Sequence, residues 1–360
     1  MFTSGKGLRP TWAEIDLGAF SRNVDAVIGR LPHGSRLIAV LKADAYGHGA
    51  VPLAKKCSDR AAMIAVALLE EAIELRTAGI DIPLLVFGPV SDVALALDHR
   101  VTLGVVGPEE LEAVCRVARD RDVAIHLKFD TGMGRMGVTE SELPRVVEMI
   151  RSTPRLRIDA VYTHFANASN ADDPLTDKQI AKFAEMTKVL NAPLHHLANS
   201  PATMRGLVSA GDYVRVGLLL LGGEALDAGQ SKLEPVLRWR TEIMRLKDLP
   251  AGHSIGYGTT FHTKRPSRIA TLAVGYADGY DRLLSNNADV LVRGRRAPVV
   301  GRVSMDLLTV DVTDIPDARY GDEVVLLGGE ITAEELAQRT GTISYEVFCR
   351  ISKRVPRVYR

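Results

Sequence analysis

From about Arg36 to Leu221 the chain alternates short runs of Val, Ile, Leu and Ala with longer stretches whose apolar residues recur at helical spacing. Such alternation is the pattern of repeated βα units. The apolar runs predict eight strands, at Leu37–Leu41, Ala62–Leu68, Leu84–Phe87, Val101–Val106, Val123–Phe129, Ile158–Thr163, Leu194–Ala198 and Tyr213–Leu219. Between them the spacing predicts helices such as Pro108–Arg119, with proline near its start, and Asp177–Leu190, on which Ile180, Phe183, Ala184 and Val189 roughly share a face. Eight parallel strands, each followed by a helix, fit a (β/α)8 barrel over 13–230, with a doubly wound open sheet as the second reading. After Gly222 the rhythm changes. A polar stretch, Asp227–Glu234, leads into alternating runs at Arg268–Val274, Val290–Arg293 and Thr309–Val312. Residues 231–360 therefore read as a mostly β domain, with residues 1–12 packing on it.

Composition narrows the function classes. The 360 residues are 46% apolar and carry 45 Lys and Arg against 44 Asp and Glu, a net charge of +1. With charges so balanced along both halves, no electrostatic footprint draws the chain to nucleic acid or an anionic membrane. Cys57, Cys115 and Cys349 have neither metal-type spacing nor a disulfide framework, so they predict thiols that are mainly core filler in a reducing compartment, the cytoplasm. No metal site is expected. The N-terminus lacks an apolar signal segment, and the run Val216–Leu221 is far too short to cross a bilayer.

In a barrel of this type chemistry sits at the C-terminal strand ends, and the unusual residues fall there. Lys42 ends the first strand, and alternation places it with Ile38 and Val40, facing the barrel mouth. Partial desolvation there would free its amine as a Schiff-base nucleophile. The fifth strand supplies His126, Lys128 and Asp130, followed by a loop that carries Arg135. Gly132, Gly134 and Gly137 spell G-x-G-x-x-G, but the unit is the fifth of eight and the next strand ends in Thr163-His164-Phe165 rather than a ribose-binding acid. The glycines instead suit a tight loop presenting Arg135 to an anionic group. Later strands contribute His164, then Asn199 and Ser200, then Arg215, Gly217 and Leu218. The Ser200 hydroxyl with the N–H groups of Gly217 and Leu218 would cradle a phosphoryl group.

The wording of the motifs goes further. In order stand Trp12-Ala-Glu-Ile-Asp-Leu, Lys42-Ala-Asp-Ala-Tyr46-Gly-His-Gly, Lys128-Phe-Asp-Thr-Gly-Met-Gly-Arg135, Tyr162-Thr-His164-Phe, His196-Leu-Ala-Asn-Ser200, Arg215-Val-Gly217, Gly256-Tyr257-Gly258, Gly275-Tyr276-Ala-Asp-Gly, Gly301-Arg302-Val-Ser-Met305-Asp306 and Tyr345-Glu-Val. Nearly end to end, the chain resembles the alanine racemase family, pyridoxal-phosphate enzymes of fold type III. The resemblance implies a homodimer with shared active sites that supplies D-alanine for peptidoglycan. It implies that Lys42 holds pyridoxal 5'-phosphate and acts as base on the D-enantiomer, while the partner subunit's Tyr257 serves the L-enantiomer from the opposite face. Arg215 would face the pyridine nitrogen with His164 orienting it. Tyr46, Asn199, Ser200, Gly217, Leu218 and Tyr345 match cofactor contacts. Arg135 with Met305 and Asp306 of the second subunit match the substrate site, Tyr276 and Arg302 match the access channel, and Lys128 matches a lysine often carbamylated.

Two departures bear on specificity. Leu219-Leu-Leu-Gly222-Gly-Glu-Ala225 replaces a usual Tyr-Gly pair and proline, and Ser304 stands where Cys is frequent. Because one methylene discriminates by only about 1–3 kcal/mol, serine or another small amino acid remains an alternative substrate. A non-catalytic pyridoxal-phosphate homeostasis protein is a further alternative, but that single-domain family lacks the β domain. A fold-type III decarboxylase would lack this combination of Gly-Tyr-Gly and Arg-x-Gly. The basic tail, Lys353 to Arg360, is read as a solvated or domain-packing terminus.

Overall fold

The structure, a computed structural model, describes residues 8–222 and 233–360. Most of the polar stretch Asp227–Glu234 and the end of the departing segment Leu219–Ala225 lie outside the described residues. The described residues form two compact units, those within Asn23–Ala45 and Ala50–Leu220, and those within Met1–Arg22, Tyr46–Gly49 and Leu221–Arg360. The division differs from the expected 13–230 and 231–360 because β1 (Thr11–Ile15) is a strand of the second unit's sheet, paired with strands at Leu237–Leu249 and Arg357–Tyr359.

The first unit contains β2 (Arg36–Val40), β3 (Met63–Val66), β4 (Leu84–Val86), β5 (Val101–Val105), β6 (Val123–Lys128), β7 (Leu156–Tyr162), β8 (Leu194–His196) and β9 (Tyr213–Val216). Each of the eight expected strands is present, several shorter by a residue or two at their ends. They pair in parallel in the order β8-β7-β6-β5-β4-β3-β2-β9, so the last strand lies beside the first. The Arg215 N–H donates to Ala198 O at 2.9 Å, bringing β9 to the chain after β8 and nearly closing the ring. This sequential order is a TIM-type barrel; a doubly wound sheet would break the order at a switch point. Strands covered on both faces read as continuous apolar runs, and β3 and β4 are buried throughout. Helix Pro108–Val117 shows the local logic: Pro108 in the first turn, Glu109 and Glu110 beside the positive helix end, Arg116 in the last turn.

The second unit is built on β10 (Leu237–Leu249), which pairs with β1, Ser267–Leu272 and Glu323–Leu327. The expected strands reappear as Ser267–Leu272, Asp289–Val292 and Leu308–Asp311, and helices Ala333–Thr340 and Ser344–Arg350 complete the unit. Trp239 and Tyr280 meet at 5.9 Å within its core. The basic tail packs here: Arg357 donates to Gly47 O at 2.9 Å and to Ile351 O, Ser352 O and Val355 O. Of the cysteines, Cys57 is core and burial pushes its thiol up to about 12, Cys115 is half-buried, and Cys349 is exposed. Among the described residues no helix is long and apolar enough to cross a membrane.

Candidate active site

The strand ends of the barrel bring the sequence's candidates into neighbouring register positions. Lys128, Tyr162 and His196 are direct partners across β6, β7 and β8, and Arg215 pairs with Ile38 of β2, the strand that leads to Lys42. Lys42 itself stands past the end of β2, so strand alternation does not set its direction. It opens a turn, Lys42–Gly47, in which Ala43, Asp44, Ala45 and Tyr46 have φ of 52°, 53°, 51° and 54°. Four consecutive left-handed residues, none of them glycine, cost about 1–2 kcal/mol each. Such strain persists where surrounding structure holds it and is characteristic of functional positions.

Arg215 is 4% exposed, and its guanidinium is enclosed by acceptors. Nη2 donates to Thr163 O at 2.6 Å, Leu197 O at 3.0 Å and His164 Nδ1 at 3.3 Å. Nη1 donates to His196 Nδ1 at 2.9 Å and to His196 O. Among the described residues Nε is the guanidinium nitrogen left without an acceptor. A guanidinium cannot accept, so His196 and His164 each take its hydrogen bond on an unprotonated Nδ1 and carry their proton on Nε2. His196 Nε2 then donates to His126 Nδ1 at 3.0 Å. Tyr162 stacks on His196 with centroids 4.6 Å apart and planes 9° from parallel, and the Arg215 guanidinium lies 5.5 Å over its ring. Gly104 makes room: a Cβ there would sit 2.7 Å from the Tyr162 hydroxyl.

Burial and positive neighbours set the protonation states. Burial, then Arg215 and Lys128, hold His164 down to about 3; burial holds His126 down to about 4 and His196 well below the ordinary histidine value. Burial lowers Arg215 to about 10. Lys128 falls to about 8 through burial, then Arg135, Arg215 and Lys42, with only Asp130 opposing. Among the described residues the charges acting on Lys128 are thus three cations and one carboxylate. That carboxylate is already engaged: Asp130 Oδ1 accepts from Gly132, Met133 and Gly134 N–H at 2.9–3.1 Å. The three glycines close this loop, which returns to its own strand as Val138 N–H donates to Lys128 O at 2.8 Å. It leaves Arg135 exposed.

Ser200 Oγ accepts from Gly217 N–H at 3.3 Å, which joins two elements of the expected phosphate cradle. Leu218 is buried and opens a 3₁₀ turn, Leu218–Leu221, so the strand predicted to Leu219 stops at Val216. Asn199, expected to touch the cofactor, caps helix Ser200–Met204 by accepting from Ala202 N–H at 3.2 Å and donates to Phe165 O at 3.4 Å.

The remaining candidates lie in the second unit. Tyr46 and Tyr345 meet edge to face at 5.8 Å. Tyr257 is 73% exposed on the turn Tyr257–Thr259, between Gly256 and Gly258 at φ of 74° and 70°. The Arg302 guanidinium would lie 3.5 Å from a Cβ at Gly258. Tyr276 and Met305 are exposed on loops joined by Tyr276 N–H to Ser304 O and Ala277 N–H to Met305 O, both at 3.0 Å. Asp278 holds these loops: fully buried, it accepts from both Nη atoms of Arg9 at 2.6 and 2.7 Å and from Gly275 N–H at 2.9 Å. The Asp306 carboxylate is paired with Arg354 at 2.6 Å. Sequence reasoning gave no role to His196, Tyr162 or Asp278. Their signal was present, since each lies within a quoted motif, but a role needs a partner and the partners are distant in sequence.

The alanine racemase N-terminal domain profile matches residues 15–225 and the C-terminal domain profile matches 236–359. This chain belongs to the alanine racemase family. An alanine racemase of Halothermothrix orenii is 44% identical, the match covering 98% of this chain and 97% of that protein. The crystal structure of the Bacillus anthracis alanine racemase with bound L-Ala-P is 36% identical with a TM-score of 0.92, covering 99% of this chain and 96% of that one. That from E. faecalis matches with the same identity and TM-score over 98% and 99%. The family makes the chain an isomerase acting on L- and D-alanine and implies dependence on pyridoxal phosphate.

The barrel mouth fits that cofactor on its own chemistry. A surplus of cations suits an anionic ligand such as a phosphate ester or an amino-acid carboxylate, and the Arg215 Nε–H is a donor that could serve an acceptor atom of such a ligand.

Proposed function

We propose that this chain racemises alanine by a two-base mechanism, with Lys42 on one face of the substrate and the partner subunit's Tyr257 on the other, in a homodimer with shared sites. The observation that carries the reading is Arg215, buried, fully ordered by acceptors and left with one donor, beside a mouth rich in cations. When bound, pyridoxal phosphate supplies the electron sink for α-proton loss, a weaker sink opposite an arginine than opposite a carboxylic acid. Lys42 carries the cofactor and exchanges the α-proton of the D-enantiomer. Tyr257 exchanges that of the L-enantiomer, since inversion needs a proton removed from one face and returned to the other. Ser200, Gly217, Leu218, Tyr46 and Tyr345 bind phosphate, Asn199 supports the cradle, and His164 with His196 orients Arg215. Arg135, with Met305 and Asp306 of the partner subunit, binds the substrate carboxylate; Tyr276 and Arg302 line its access. Lys128, with its amine lowered to about 8, is nucleophilic enough near that pH to take up carbon dioxide as a carbamate facing Arg135. The product serves peptidoglycan synthesis in the cytoplasm.

The test is proton NMR of L-alanine with cofactor-loaded protein in D₂O, a chiral assay of the product, and a Lys42→Ala control. Loss of the α-proton signal with D-alanine appearing, both absent in the control, is the expected result. Exchange with L-serine but not with L-alanine would move the reading to another small amino acid, and no exchange from cofactor-loaded protein would favour a non-catalytic role.

A further inference from the structure

We propose that Glu71, on the helix Leu69–Thr77, is a positioning residue for Lys42. The proposal rests on the reading that Lys42 carries the cofactor. Lys42 leads directly into the left-handed turn, whose conformation its own residues do not favour. Three restraints act on that turn within the barrel unit. Leu41 N–H donates to Ala65 O at 2.9 Å, tying its start to β3, and Ala45 N–H donates to Leu41 O at 2.9 Å. Asp44 Oδ1 accepts from Ala50 N–H at 2.7 Å on the far side. The peptide that immediately follows Lys42 is fixed differently: Ala43 N–H donates to Glu71 Oε1 at 2.5 Å.

The other oxygen of Glu71 accepts from Ala67 N–H at 2.8 Å and Leu68 N–H at 3.1 Å. Those two bonds satisfy the start of the glutamate's own helix, as a glutamate at the third helical position commonly does. The bond to Ala43 does nothing for that helix. It links the chain after β2 to the chain after β3, and its effect is on Lys42: the orientation of the Lys42–Ala43 peptide sets ψ of Lys42, and with it the direction in which a long side chain leaves the strand end. A carboxylate can accept all three N–H groups. A glutamine of the same shape cannot, because its amide NH₂ would face at least one of them. The charge, rather than the bulk, is what the position uses.

The experiment compares wild type, Glu71→Gln and Leu75→Ala. Leu75 is buried in the same helix and its apolar side chain offers no acceptor to the Ala43 N–H, so its truncation weakens the helix without removing that hydrogen bond. Cofactor-free protein is titrated with pyridoxal phosphate, and the absorbance of the lysine-bound form is followed. Borohydride fixation and peptide mapping locate the linkage, and thermal unfolding reports stability. Glu71→Gln is expected to bind covalently at Lys42 at least about tenfold more weakly than wild type. Leu75→Ala is expected to lower the melting temperature as much or more while keeping wild-type binding. Wild-type binding by Glu71→Gln overturns the proposal, and so does a loss matched by Leu75→Ala at equal stability. If wild type is not labelled at Lys42, the reading of the lysine itself fails, and the positioning role fails with it.

Discussion

At the barrel mouth Arg215 is almost wholly enclosed, with each acceptor on it supplied by a neighbouring strand end; in the β unit Tyr257 stands out in solvent on a turn framed by two left-handed glycines. Both are candidates for one reaction. The barrel holds its groups by desolvation and hydrogen bonds, so their protonation is displaced: His164, His126 and Lys128 all shift towards the neutral form. The β unit uses its buried charge for scaffolding instead, through Asp278 and Arg9, and presents Tyr257, Tyr276 and Met305 outward. The contrast fits the proposed division of labour, in which one subunit's barrel supplies a preformed site and another's β unit supplies exposed groups.

Substitutions should separate the two regions. The largest effect is expected from Lys42→Ala, which should lower alanine exchange by roughly 10⁴-fold, read by NMR in D₂O. Arg215→Ala should cost about 3–5 kcal/mol in urea unfolding, because it strands the buried carbonyls of Thr163, His196 and Leu197. A cost below about 1 kcal/mol would break the claim that the mouth is held by this network. Acid should act on the barrel in particular. His126 has a folded value of about 4 against an ordinary 6.5, so as pH falls below 6.5 the unfolded chain takes up the proton first. Stability therefore declines from about pH 6.5 to about 4 and is present in full above that window, the total approaching about 3 kcal/mol. His126→Gln should flatten the decline in pH-dependent urea unfolding. Tyr257→Phe should reduce exchange from L-alanine by about 10²-fold and affect D-alanine less, while stability moves by under about 0.5 kcal/mol. Equal small losses for both enantiomers would remove the two-base assignment.

Particular elements show how far the sequence could be read. The eight barrel strands were legible because strands covered on both faces need continuous apolar runs, and β3 and β4 have them. β1 was not: Thr11–Ile15 alternates weakly, and its partners are Leu237–Leu249 and Arg357–Tyr359, more than 200 residues away. Lys42, His164 and Arg215 could be named from type and position. Asn199 could be named in the same way, and the structure adds that its side chain caps a helix and bonds the carbonyl of Phe165. His196 and Glu71 show the reverse. Each is ordinary by type and acquires a role only through a partner elsewhere, Arg215 for one and the Ala43 peptide for the other.

The amino-acid order is enough for the βα rhythm, the change to a β unit after Gly222, the absence of a charge footprint and the kind of chemistry available at the strand ends. These follow from local pattern and residue type, which need no knowledge of what lies opposite. Tertiary structure alone decided that the turn after Lys42 is left-handed, which imidazole nitrogens carry protons, and that Lys128 lies near pH 8 rather than at the ordinary lysine value. Hydrogen-bond direction, desolvation and the field of neighbouring charges exist only once distant segments are brought together, and they set those properties.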